Sequence, residues 1–141
     1  MQPILAFSDG MPDELVRGSH PHDYEEVDHF DPVITDYNGN LIARIPLKTP
    51  TGKAVVVSFV CATGARSIYL CAEALHALDS KGVLQHSGEQ RVAEILYKKE
   101  SVFTAVVEQT PTSHKNSNVL GCHALGKLGL HSTESGSFFD A

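Results

Sequence analysis

The stretch VVVSFVCATGARSIYL, Val55 to Leu70, decides the fold. Val55-Val56-Val57 and Phe59 form a β-branched and aromatic run without regular polar alternation, the pattern of a central strand buried on both faces of a small sheet. The run ends in Cys61-Ala62-Thr63-Gly64-Ala65, small residues with a glycine that suits a tight turn. Ser67 to Leu70 then reads as a second, shorter strand.

The same grammar extends outward in both directions. Val33 to Tyr37 and Asn40 to Leu47 flank Asn38-Gly39, a hairpin signal because both turn residues must accept positive φ. Thr49-Pro50-Thr51-Gly52 turns the chain into the strand over Lys53 to Val60. After the quoted stretch, Cys71 to Leu78 has the alanine content and apolar spacing of about two helical turns, ending before Lys81-Gly82. Arg91 to Tyr97 and Ser101 to Glu108 read as strands joined at Lys98-Lys99-Glu100, the one convincing hairpin between Gly82 and Gln109. A polar loop, Gln109 to Ser117, precedes a short strand Asn118-Val119-Leu120, then Gly121 and a small helix through Lys127.

A chain of 141 residues, 42% hydrophobic and 20% charged, can bury one ordinary core and is too short for two. Its charge is uneven. Residues 1–32 carry Asp9, Asp13, Glu14, Asp23, Glu25, Glu26, Asp28 and Asp31 against Arg17 alone, whereas the rest is near balance. That segment reads as an acidic, irregular arm with apolar islands at Ile4 to Phe7 and Leu15-Val16 and a short helical turn at Asp13 to Arg17. With no basic face, nucleic acid is not an expected partner. Cys61, Cys71 and Cys122 form an odd set without CxxC spacing, and the start Met1-Gln-Pro-Ile-Leu-Ala-Phe lacks the features of a signal peptide. With no apolar run of spanning length, no membrane partner is expected; the compartment expected is intracellular, cytoplasmic or nuclear.

Two separated segments, in order, resemble the retropepsin-like aspartic proteases of retroviral and retrotransposon type. SFVCATGARSIYLCAEALHAL is similar to their active-site loop, where an apolar strand ends in Asp-Thr/Ser-Gly-Ala/Ser. NVLGCHALGKLGL, Asn118 to Leu130, is similar to their second signature, Ile/Leu-Leu-Gly followed after two residues by an apolar helix. The resemblance covers about Leu41 to Leu130. It implies a mainly β, acid-protease half-barrel with one or two short helices. With the acidic arm over 1–32 set apart by composition, it divides the rest into a retropepsin-like domain over 33–130 and a tail over 131–141 that could lie at the interface of a homodimer.

By that resemblance Ala62 occupies the position of the catalytic Asp, with Thr63, Gly64 and Ala65 completing the loop, and Val119, Leu120 and Gly121 forming the second signature. Thr63 and Gly64 would lie at the dimer contact, where the Thr hydroxyl ties two loops together. The family reaction uses two carboxylates that share a proton and activate water. Ala62 supplies none, so no catalytic residue of that mechanism is intact. Either activity was lost naturally or Ala62 replaces an Asp removed deliberately. A flap hairpin is a second requirement of active members, and Leu84 to Gln90, with Gly88, is at most a short remnant of one.

Other chemistry is weaker. Cys61 with His123 could form a nucleophile pair if the fold joined them, but buried reduced cysteines are the commoner arrangement. His20, His22 and His29 among Asp23, Glu25, Glu26 and Asp28 are ligand types for a divalent ion, yet an irregular arm does not fix four ligands; a solvated or partner-docked arm is favoured, with no metal and no cofactor. His76 reads as a surface residue, while His86, His114 and His131 fall in loops. Arg66 is an exposed charge or the partner of an acid near the dimer contact. Phe138-Phe139 packs at a subunit boundary or on its own core.

The sequence thus points to a catalytically inactive retropepsin-like domain used for homodimerisation or for binding a protein or peptide partner. The alternative is an aspartic endopeptidase whose catalytic Asp has been replaced by Ala62.

Overall fold

The structure, a computed structural model, describes residues 23–37, 40–98, 101–111, 117–133 and 136–139. The islands at Ile4 to Phe7 and Leu15-Val16, the turn at Asp13 to Arg17, His20, His22, His114 and the Asn38-Gly39 turn lie outside the described residues. The elements in chain order are β1 (Glu26–Val27), β2 (Val33–Tyr37), β3 (Asn40–Lys48), β4 (Ala54–Ala62), β5 (Ile68–Leu70), α1 (Ala72–Ser80), β6 (Gln85–Ser87), β7 (Gln90–Tyr97), β8 (Ser101–Gln109), β9 (Val119–Gly121), α2 (Cys122–Leu128), β10 (Leu130–Thr133) and β11 (Gly136–Phe139). The chain is mainly β with two short helices, as its patterning leads one to expect.

β4 is the axis of the fold. All nine of its residues are buried, because Val55, Val57, Phe59 and Cys61 face the main core while Val60 packs with Ile42, and Ala62 with Ala65 and Val119, on the other side. β3 pairs antiparallel along one edge of β4, through a turn in which Thr49 N–H donates to Lys53 O at 2.8 Å and Gly52 takes a φ of 87°. From β4 the sheet continues through β9, β5, β8 and β7 and returns to β3 at the pairing of Leu47 with Ile95, closing a barrel of six strands. Closure buries Ile45, Leu47, Leu70, Ile95 and Leu120 inside it. That removal of apolar surface from water is the main stabilising term.

The helices plug this core. α1 buries Ala74, Leu75 and Leu78, and its cap is Cys71, whose Sγ accepts from Ala74 N–H at 3.5 Å. α2 buries Ala124, Leu125 and Leu128 and stops at Gly129, whose φ of 71° suits a left-handed C-terminal glycine.

Three features depart from the sequence-based outline. A second hairpin exists between Gly82 and Gln109: β6 pairs with β7 through Gly88-Glu89, with glycine at positive φ in the first turn position. The strands flanking that turn are short and polar, so alternation could not reveal them, and His86 stands in a strand rather than a loop. The tail forms an antiparallel hairpin, β10 with β11, and Leu130 and Phe139 pack on the chain's own core. The last part of the arm is joined to the barrel before Val33: Glu26 and Val27 pair with Val55 and Ala54, and Tyr24, at a φ of 67°, donates its N–H to Val56 O at 3.1 Å.

Between β1 and β9, no strand of the described residues lies beside the edge of β4 around Ser58. Side chains fill the gap. Ser58 N–H donates to the Asp23 carboxylate at 3.2 Å, and the Asn118 amide donates to Ser58 O at 3.2 Å. Asn118 also accepts from Cys71 N–H at 2.9 Å, hydrogen-bonds the Tyr24 phenol, and through its own carbonyl accepts from Val60 N–H at 2.9 Å. One buried amide therefore ties arm, β4, β9 and the start of α1 together. Asp23 is further held by Arg44 at 3.4 Å, and the Arg44 guanidinium lies 5.2 Å from the centre of the Phe30 ring.

Removing the Asn118 side chain leaves buried backbone groups of Ser58 and Cys71 unpaired, each costing about 1–3 kcal/mol. Asn118→Ala is therefore expected to lower unfolding free energy by about 2 kcal/mol or more in urea titration; an unchanged midpoint would show that the amide is dispensable. Asp23 makes a pH-dependent prediction. Burial raises its carboxyl above the ordinary 3.8, with Ser58 and Arg44 opposing only in part. A carboxyl raised in the fold binds its proton more tightly there than in the unfolded chain. Its contribution to stability is full below 3.8 and is lost as pH rises through the raised value. Measured against Asp23→Asn, the wild-type chain should lose relative stability as pH rises through that window; the opposite slope would mean that pairing with Arg44 outweighs burial.

Candidate functional site

The junction of the two motifs is built by backbone. β9 runs parallel to the end of β4, placing Val119 beside Val60, Leu120 beside Cys61 and Gly121 beside Ala62. The chain leaving β4 turns at once, with Ala65 N–H donating to Ala62 O at 3.1 Å. The start of α2 then grips that turn: Cys122 N–H donates to Ala65 O at 2.7 Å and His123 N–H to Arg66 O at 3.3 Å.

This packing places a strict demand on one residue. A Cβ on Gly121 would stand 2.3 Å from Ser67 O and 2.8 Å from Ala65 O, both backbone atoms that cannot swing aside. Gly64, by contrast, is not among the residues with positive φ, so the tight turn does not draw on a left-handed glycine there. The glycine that the junction requires is the one in the second motif.

Ala62 is fully buried against Ala65 and Val119, with half-buried Tyr69 packed on this small cluster. Thr63 and Gly64 are exposed at the tip of the turn, and Arg66 beside them is exposed too. No Asp or Glu occurs from Cys61 to Cys71 or from Ser117 to Leu128. The nearest acid in register is Glu108 of β8, opposite Tyr69. It hydrogen-bonds the phenol, which desolvation first and the Glu108 charge second push above its ordinary range. Thr63 contributes a hydroxyl and Arg66 a guanidinium to this turn, and the two motif segments themselves carry no carboxylate.

The structure does not assemble the Cys61 and His123 pair. Cys61 points into the main core, where burial pushes its thiol up to about 12, while His123 is exposed on α2. A protonated, enclosed thiol is neither nucleophile nor metal ligand. Cys122 is exposed and Cys71 serves as a helix cap. His29 sits 3.1 Å from Asp31, an exposed pair. Among the described residues no three His, Cys, Asp or Glu side chains converge for a metal. His76 is exposed on α1, and His86 lies 3.8 Å from Asp79 of the same helix. No helix of the described residues is long and apolar enough to cross a membrane.

No protein-family model matches the chain, and no curated protein matches it. A solved structure, a retropepsin-like aspartic protease from Rickettsia conorii, is similar to it with a TM-score of 0.47 and 18% sequence identity, the match covering 82% of this chain and 89% of that chain.

A cavity of about 500 Å³ is remote from the junction, lined by His29, Phe30, Lys48, Tyr97 and Val102. Beside the junction lies a smaller groove of about 180 Å³, where Arg66 and Ser67 face Thr104 to Val106 of β8 and His123 and Ala124 of α2. Sequence reasoning missed the polar side chains that hold this region, Asn118 and Asp23. Nothing in a polar loop or an acidic arm marks one amide or one carboxylate for burial.

Gly121→Ala tests the junction. Overlap with fixed backbone is expected to cost about 3 kcal/mol or to prevent folding, read as a large drop in melting temperature. An unchanged melting temperature would mean that the Ala62 to Ser67 turn gives way freely.

Proposed function

We propose that this chain is a non-catalytic retropepsin-like domain whose use is to bind protein, first of all a second copy of itself. One observation carries the reading: the two motif segments meet side by side, Ala62 against Gly121, and neither brings a carboxylate to the meeting point. Aspartic-type peptide hydrolysis needs paired carboxylates that share a proton and activate a water. A methyl group sealed against Ala65 and Val119 does neither.

Binding is supported by what remains exposed. Thr63 and Gly64 stand at the surface while their neighbours Ala62 and Ala65 are buried. In the family that this sequence resembles, each subunit supplies half of a two-lobed body, so this loop belongs to a self-complementary two-fold surface. A Thr63 hydroxyl is available to bridge two loops, and without acids at position 62 no like-charge repulsion crosses the axis.

The second reading, an aspartic endopeptidase in which Ala62 replaces the catalytic Asp, is favoured by the intact backbone pairing of Ala62 with Gly121. The two readings separate in one experiment. Wild-type and Ala62→Asp chains are expected to leave an unfolded protein substrate uncut from acid to neutral pH, while sedimentation equilibrium returns the dimer mass. Pepstatin-sensitive cleavage by Ala62→Asp alone would mean an intact protease scaffold in which Ala62 is either an engineered replacement or a recent loss, and cleavage by the wild-type chain would overturn the non-catalytic reading. A monomer mass would remove self-association and leave binding to other proteins.

A further inference from the structure

β8 has two unequal edges. Toward β7 it is paired along its length, from Arg91 with Val107 to Tyr97 with Ser101. Toward β5 it is paired only at Val107, Glu108 and Gln109. Among the described residues, no strand lies along the Ser101 to Val106 part of that second edge.

An open edge is a template for another strand, and proteins ordinarily blunt it with charge, proline or a bulge. Here the segment Ser-Val-Phe-Thr-Ala-Val contains neither charge nor proline. Its outward valines, Val102 and Val106, are 36% and 37% exposed and are two of the three large apolar side chains exposed among the described residues. Just before β5 begins, the groove of about 180 Å³ opens along the edge. Its titratable lining is Arg66 and His123, with no acid among the lining residues. The β8 backbone, Val106 and the Arg66 guanidinium thus border one space, with Val102 further along the same edge.

We propose that the free edge of β8 takes an extended, acidic peptide segment of a partner protein as an added strand. Main-chain pairing along Ser101 to Val106 supplies affinity, alternate side chains of the peptide cover Val102 and Val106, and a carboxylate side chain enters the groove toward Arg66 and His123. Charge selects this occupant over a second copy of β8. Two uncharged edges could pair about a two-fold axis, but they would leave the cations of both grooves unmatched. The proposal rests on the reading of this chain as a protein-binding domain and names a surface separate from the Thr63-Gly64 loop.

The test uses the full chain, isotopically labelled for NMR, with the synthetic peptide acetyl-Thr-Val-Glu-Val-Thr-Val-amide and its counterpart carrying Lys in place of Glu. The Glu peptide is expected to shift backbone amides of Ser101 to Val106 and of Arg66-Ser67 and to slow their hydrogen exchange. The Lys peptide should bind about fivefold more weakly, the scale of an exposed charge pair made or lost. Arg66→Glu, at an exposed position, should reverse that preference, and Val106→Lys should abolish the shifts while the remaining spectrum stays native. Four results would each overturn the proposal: no shifts at saturating peptide, shifts centred on Thr63-Gly64, equal binding of both peptides, or Ser101 to Val106 protected by self-association before peptide is added. Protease activity of the wild-type chain would defeat the non-catalytic reading without moving the β8 shifts. Silence at β8 in a chain that neither cleaves nor loses its dimer would defeat this surface alone.

Discussion

A single buried amide, the side chain of Asn118, is the constraint on which the remainder of this structure depends. It donates to Ser58 O in the middle of β4 and accepts from Cys71 N–H at the start of α1. It also meets the Tyr24 phenol from the arm. A barrel closed around a fully buried strand must satisfy every backbone group on that strand, since an unpaired one costs as much as several apolar contacts supply. β1 and β9 each cover part of the β4 edge. Asn118 and Asp23 bond Ser58 in the interval between them, where no strand of the described residues lies.

The motif junction follows from that arrangement. Once Asn118 fixes where β9 begins, Val119, Leu120 and Gly121 are delivered in register against Val60, Cys61 and Ala62. The start of α2 is thereby brought onto the Ala62 to Arg66 turn, at a separation that only glycine tolerates at position 121. What emerges is an exposed tip of Thr63 and Gly64 on a buried apolar base of Ala62, Ala65 and Val119. Among the described residues the open edge of β8 arises from the same geometry, because β5 is short and pairs with β8 only at Val107, Glu108 and Gln109.

Much of the strand order along the chain was legible because burial and turn chemistry are local signals. The Val55 to Phe59 run, the Thr49 to Gly52 turn and the alanine-rich start of α1 each announced an element to within a few residues. The β6–β7 hairpin was not legible, since its strand residues are polar and exposed and only Gly88 marks it. The arm was misleading for another reason. Eight acids in its first 32 residues suggest solvent, yet Asp23 is enclosed by Ser58 and Arg44, and composition cannot single out the one carboxylate that long-range contacts bury.

The sequence by itself determined the class of fold, the order of the two motifs along a β-rich chain, and the lack of a carboxylate at position 62. These depend on residue identity and short-range periodicity. Only the tertiary structure decided that Gly121 is the glycine the junction cannot replace, that Cys61 is sealed away from His123, that the tail packs on its own core and that β8 keeps an open edge. Each of these is a matter of which groups meet once the chain is folded, as the Asp23 carboxylate meets Ser58 N–H across 35 residues. No local pattern encodes such distances, because the hydrogen bonds and close approaches that set them exist only after the barrel has closed.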